Sequence, residues 1–140
     1  METTLAILKP DTVAAGNAGR ILAHLEKEGF KIRGLRVIHL TRSQAEAFYA
    51  VHRERPFFSS LVEFMTEGPV VPVALEREDA VAGLREVMGA TDVAKAADGT
   101  IRKLYGTSIE RNAIHGSDSP ENARIELAFF FPSTELIAAR

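Results

Sequence analysis

Cysteine is absent from the 140 residues. That excludes disulfides and thiol catalysis, and it favours a reducing compartment. No apolar run approaches the ~18 residues a membrane span needs, and Met1-Glu2-Thr3-Thr4 lacks the basic start of a signal peptide. A cytoplasmic location without membrane contact is the expectation. The net charge of −2 argues against a broad surface for nucleic acid, so no stable nucleic-acid partner is expected. Several catalytic signatures are missing too. There is no G-x-x-x-x-G-K-[ST], which excludes a P-loop. There is no G-x-S-x-G, which weakens acyl transfer. The four histidines show no H-E-x-x-H or other ligand spacing, so a protein-held metal site is not expected.

The 46% hydrophobic and 26% charged residues are ordinary globular values. A chain of this length is one domain, spanning residues 1–140, and buries roughly 68% of its unfolded surface. Thr4 to Leu8 reads as a buried strand stopped at Lys9-Pro10-Asp11. Ala18 to Glu28 puts Ile21, Leu22 and Leu25 on one helical face and ends at Gly29. Lys31 to Leu40 reads as a half-exposed strand. Ser43 with Glu46 fits a capping box opening the next helix. Phe57 to Thr66 is helical. Val70 to Leu75 is a strand whose Pro72 suggests an edge or a bulge. Asp79 to Met88 is helical. Residues 89–120 form a long irregular region, of the kind that is often functional. A short helix from Pro120 to about Glu126 and a strand from Leu127 to Phe131 complete the pattern. The sum is an α+β, ferredoxin-like split βαβ fold: a four-stranded antiparallel sheet with helices on one face.

Asn112-Ala113-Ile114-His115-Gly116-Ser117-Asp118 places one imidazole among small and polar residues, with a glycine that would let the backbone approach a ligand. Lys9, Arg85 and Arg102 supply cations in or beside turns and loops. Such residues are commonly solvated surface charges. Together with a loop histidine they also suit phosphoryl transfer, because guanidinium binds phosphate oxygens in a fork and imidazole can attack phosphorus.

The heptapeptide resembles the active-site signature of nucleoside diphosphate kinases. Lys9-Pro10-Asp11, Tyr49 with His52, Arg85 to Thr91, and Gly99-Thr100-Ile101-Arg102 resemble further motifs of that family in the same order, over nearly the whole chain. The resemblance implies transfer of the γ-phosphoryl of a nucleoside triphosphate, mainly ATP, to a nucleoside diphosphate through phospho-His115, in a ping-pong sequence with broad base specificity. It implies that Glu126 orients the imidazole, that Ser117 hydrogen-bonds Glu126, and that Tyr49 lies beside His115. It implies that His52, Arg85, Thr91 and Arg102 hold the phosphates, and that Lys9 and Asn112 contact the ribose. Phe57 would stack on the base, with Leu61 and Ile109 as apolar walls. Magnesium would arrive on the nucleotide phosphates. Two prolines common in the family are missing from the loop after Thr91, where Val93 and Asp98 stand instead. The looser loop implies a homo-oligomer smaller than the family's hexamers, a tetramer rather than a dimer or hexamer. The same sheet also serves RNA-binding modules, but Val70 to Leu75 has no aromatic and the charge is negative.

Overall fold

The computed structural model describes residues 1–138. Its sheet has the order β2-β3-β1-β4, formed by β1 (Glu2–Leu8), β2 (Lys31–Leu35), β3 (Val71–Arg77) and β4 (Ile114–Gly116). All pairings are antiparallel. The helices are α1 (Pro10–Ala14), α2 (Ala18–Lys27), α3 (Arg42–Phe48), α4 (Phe58–Met65), α5 (Ala80–Met88), α6 (Ile101–Tyr105), α7 (Pro120–Phe130) and α8 (Ser133–Ala138).

Strand alternation divides the core into two clusters, and both faces of the sheet are covered rather than one. Ala6 and Leu8 of β1 meet Ile21, Leu25, Leu84, Met88 and Ile101 on one side. Leu5 and Ile7 meet Ala45, Tyr49, Val62, Met65, Leu127 and Phe130 on the other. The period of two in β1 therefore feeds two separate apolar layers.

The fourth strand is the main correction to the sequence reading. It lies at Ile114–Gly116, inside the stretch expected to be irregular, and not at Leu127–Phe131. Its apolar content is only Ile114, so no alternation announces it. The aromatic run that suggested a strand instead continues α7. Ala123, Leu127 and Phe130 are buried at helical spacing. Ser119 caps the start, accepting from Asn122 N–H at 3.0 Å, and no breaker intervenes before Pro132.

Smaller differences have local causes. β2 ends at Leu35 with a bulge between Ile32 and Gly34, and an isolated bridge from Ile38 to Val70 replaces the rest of the expected strand. β3 is interior despite Pro72. The Pro72 carbonyl accepts from Arg36 N–H at 3.1 Å, so its nitrogen, on the same side, faces the chain beyond β2 and removes no bond to β1. The capping box of α3 forms on Thr41 and Gln44, two residues before Ser43. Gly29 follows α2 with φ of +91°, as its position implied. α1, α6 and α8 are short helices that periodicity did not announce.

Candidate active site

β4 pairs with the end of β1, matching His115 with Ile7 and Ile114 with Leu8. Ile7 faces the Tyr49–Leu127 layer, so His115 points to that side, while Ile114 and Gly116 face α5. A Cβ on Gly116 would lie 2.7 Å from Met88 Sδ. That glycine therefore lets the strand pack on α5; it was expected to open room for a ligand.

His115 Nε2 lies 2.8 Å from Glu126 Oε1. The fully buried Ser117 donates to the same oxygen, also at 2.8 Å. Glu126 comes from α7, eleven residues on, and reaches the imidazole because Asp118-Ser119-Pro120 turns the chain sharply into that helix. Rings close the remaining sides. Phe48 meets His115 edge-on at 5.5 Å and Tyr49 at 6.2 Å between centroids. Tyr49 is buried and its hydroxyl has no hydrogen-bond partner. Burial first, and then the Glu126 charge, push its pKa well above the usual phenol range.

A second group surrounds the end of β1. Lys9 Nζ donates to Asn112 Oδ1 at 2.7 Å. Asn112 Nδ2 donates to the Thr91 and Ile109 carbonyls at 3.2 and 3.0 Å. One side chain thus ties the first strand to two loops, and its amide is largely spent inside the protein. Lys9 is buried. Burial, with help from the Arg102 charge, brings its pKa down to about 8.

Arg102 is also buried. It donates to the Gly89 carbonyl at 3.1 Å and the Ile114 carbonyl at 2.8 Å, and its Nε is left without a partner. Burial and the neighbouring Arg85 lower its pKa to about 10. Gly89 is needed at this point. Its φ is +87°, and a Cβ would sit 2.5 Å from Thr100 Oγ1, the side chain that caps α6. The close approach sets Gly89-Ala90-Thr91 beside Arg102. Lys9 and Arg102 are thus two buried cations that feel each other's charge, and the Nε–H of Arg102 is orphaned, an arrangement that favours a nearby anion.

The third region is open. Phe57 is 45% exposed and Ile109 is 62% exposed, while Leu61 is half-buried. His52 stacks toward Tyr49 at 6.5 Å and tilts on Phe57 at 5.4 Å, so one row of rings leads from His115 to Phe57. Ser60 Oγ donates to Glu110 Oε2 at 2.9 Å, and Arg111 pairs with Glu67 at 2.9 Å. These contacts join α4 to the loop carrying Ile109. Neither residue pair was singled out from the sequence, since ordinary surface charges give no signal there.

The structure thus brings His115, Glu126, Ser117 and Tyr49 into one group, and Lys9, Asn112, Thr91, Arg102 and Arg85 into another beside it. His52 and Phe57 extend from the first. Two clefts elsewhere, one by His24, Glu86 and Thr100 and one by Arg36, Thr41 and Phe129, include none of these residues. Among the described residues no helix is long and apolar enough to cross a membrane.

Known proteins of the same design are numerous. The family model described as nucleoside diphosphate kinase matches residues 2–136. The nucleoside diphosphate kinase of Desulfosudis oleivorans is 56% identical over 137 residues, 98% of this chain and 99% of that protein. That of Sorangium cellulosum is 57% identical over 136 residues, 97% of this chain and 94% of that protein. The solved nucleoside diphosphate kinase of Aquifex aeolicus superposes with a TM-score of 0.93 at 49% identity, covering 96% of this chain and 97% of that one. A halophilic one from Halobacterium salinarum, in complex with CDP, gives 0.91 at 41% identity, covering 96% and 90%. The ordered motifs, the sheet that carries His115 and these likenesses over nearly the full length agree: the chain belongs to the nucleoside diphosphate kinase family.

Proposed function

We propose that this chain moves the γ-phosphoryl group of a nucleoside triphosphate, mainly ATP, onto a nucleoside diphosphate through His115. The observation that carries the reading is the grip of Glu126 on His115. The carboxylate, itself held by Ser117, occupies Nε2 at 2.8 Å. That fixes the ring and leaves Nδ1 as the atom with a lone pair to offer. In the first half-reaction Nδ1 attacks the γ-phosphorus. The P–N bond forms as the bond to the bridging oxygen breaks, and the diphosphate departs with that electron pair. In the second half a terminal oxygen of the incoming diphosphate attacks the same phosphorus, the P–N bond breaks, and the imidazole is restored. The Nε2 proton stays against Glu126 throughout.

The remaining residues position and neutralise. Arg102, pinned by two carbonyls, would turn its unpartnered Nε–H toward phosphate oxygens, with Arg85, Thr91 and His52 around it. Lys9, anchored on Asn112, keeps donors for the ribose hydroxyls. Phe57 would stack on the base between Leu61 and Ile109. Stacking is indifferent to base identity, which gives broad specificity. Magnesium would enter with the nucleotide and neutralise charge on the leaving diphosphate. The chain's donor set fits that arrangement: among the described residues no group of three or more His, Asp or Glu side chains could hold a metal by itself, so the phosphate oxygens would be the main hard ligands.

We also propose a homo-oligomer, a tetramer rather than a hexamer. The loop after Thr91 is held by an Asp92-capped 3-10 turn at Val93–Lys95 and by no proline. A sedimentation profile showing a hexamer persisting at low concentration overturns the tetramer.

The catalytic reading is tested by brief incubation with γ-labelled ATP and magnesium, followed by denaturing electrophoresis. An acid-labile, base-stable label that vanishes in His115→Gln is the expected result. An unlabelled intact chain refutes the reading.

A further inference from the structure

Ala113 is the one described residue of the signature heptapeptide with a positive φ, +75°. Ile114 N–H donates to the Asn112 carbonyl at 2.9 Å, a bond that spans a single residue. The combination is a γ-turn of the rare, strained kind. A residue with a Cβ pays for this conformation, and the payment persists only where the surroundings over-determine it.

The surroundings are three hydrogen bonds from residues about a hundred positions away. Ala113 N–H donates to Asp11 Oδ2 at 3.1 Å. The Ala113 carbonyl accepts from Lys9 N–H at 2.9 Å and from Thr12 Oγ1 at 2.9 Å. Every polar atom of the Ala113 backbone is thus held by the chain between Lys9 and Thr12. Ala113 and Thr12 are buried, and the other oxygen of Asp11 is buried without a partner. A carboxylate half-stripped of hydrogen bonds costs free energy, so its retained bond to Ala113 has a purpose to serve.

That purpose follows from what lies on either side. Asn112 must aim its amide at Lys9, Thr91 and Ile109. Ile114, two residues on, must already lie in register with Leu8 so that His115 faces Glu126. Only a tight reversal at Ala113 satisfies both. We propose that Asp11 and Thr12 are positioning residues: they hold Ala113 in its strained turn and thereby set His115 against Glu126 and Asn112 against Lys9. Neither touches substrate.

The proposal rests on His115 as the phosphoryl carrier, and its test separates the two. The measured quantity is the single-turnover rate of His115 phosphorylation by magnesium-ATP. Asp11→Ala slows it tenfold or more, and Thr12→Val about fivefold. Glycine adopts positive φ without a Cβ clash, so in the Ala113→Gly background each of these substitutions costs less than threefold. Asp11→Asn, which keeps a carbonyl acceptor, recovers most of the rate lost in Asp11→Ala. A merely structural contribution to folding would not depend on the residue at 113. Equal losses in both backgrounds overturn the proposal, as does Asp11→Asn falling as far as Asp11→Ala, which would assign Asp11 to its charge beside Lys9. If Asp11→Ala does not fold, Thr12→Val, an exchange of hydroxyl for methyl, carries the same comparison. An unsubstituted chain that takes no label ends the phosphotransfer reading. One that labels normally while the coupling to Ala113 is missing ends only this proposal.

Discussion

His115 and Phe57 stand at the two ends of one row of rings, and they are held very differently. The histidine side chain is 20% exposed, hydrogen-bonded to Glu126 and flanked by the buried Tyr49 and the half-buried Phe48. Phe57 is 45% exposed, with the ring of His52 tilted against it. The His115 end is fixed by directional bonds, and in the proposed reaction misplacement of the attacking atom there would be costly. The Phe57 end is open and apolar, and in the proposed reading it would hold the base by area and stacking rather than direction. In the proposed reaction such a site would place its precision at the phosphorus and leave the base almost unread.

The largest test of that contrast is His115→Gln, which should lower turnover by on the order of 10⁴ or more, since the group that forms the covalent bond is gone. Residual turnover near the unsubstituted level, measured with purified protein, would break the comparison at its first end. Arg102→Ala should reduce kcat/KM by at least ~10-fold, about 1.4 kcal/mol of transition-state stabilisation. An unchanged value would confine Arg102 to holding Gly89 and Ile114. Phe57→Ala should raise KM by about 10-fold, equally for purine and pyrimidine diphosphates, with kcat little altered. A loss confined to one base would mean that the open end does read identity. Ser117→Ala should lower kcat about 5-fold, as one hydrogen bond to a charged group is removed while Glu126 still reaches Nε2.

The smallest effect is electrostatic and concerns the boundary between the ends. Lys9 has its folded pKa lowered to about 8 from 10.5, so between those values the unfolded chain binds more protons than the folded one. Stability owed to Lys9 therefore rises with pH across that window, and the cost of burying the ammonium is present in full below about 8. Unfolding of the unsubstituted chain and of Lys9→Gln at several pH values should show the difference shifting in favour of the unsubstituted chain from pH 8 to 10. Activity should move the other way, with kcat/KM falling above pH about 8 as the cation is lost. A flat difference would place Lys9 in a wetter setting.

Much of this site was legible because its residues cluster around short motifs of unusual composition. Asn112 to Asp118 and Lys9-Pro10-Asp11 stand out in any reading of the chain, and the helices at Ala18, Phe58 and Ala80 follow from apolar spacing. The fourth strand did not show, because three residues with one large apolar side chain carry no period. Its partner is β1, a hundred residues earlier, and only pairing makes it a strand. The same blindness turned the end of α7 into a strand, since Leu127 to Phe131 is apolar enough for either and Ala123 decides the period only once its burial is known.

By itself the sequence determined which chemistry is available: one histidine among small residues, a set of cations without thiol or P-loop, and ordered motifs of a single family. These depend on side-chain type, which is written in the chain. Tertiary structure decided how the chemistry is aimed. It put His115 on a strand, gave Nε2 to Glu126, left Arg102 with a buried orphan N–H, and bent Ala113 against its own preference through Asp11 and Thr12. Each of those is a contact between segments far apart in sequence, and such contacts exist only after both faces of the sheet have been packed.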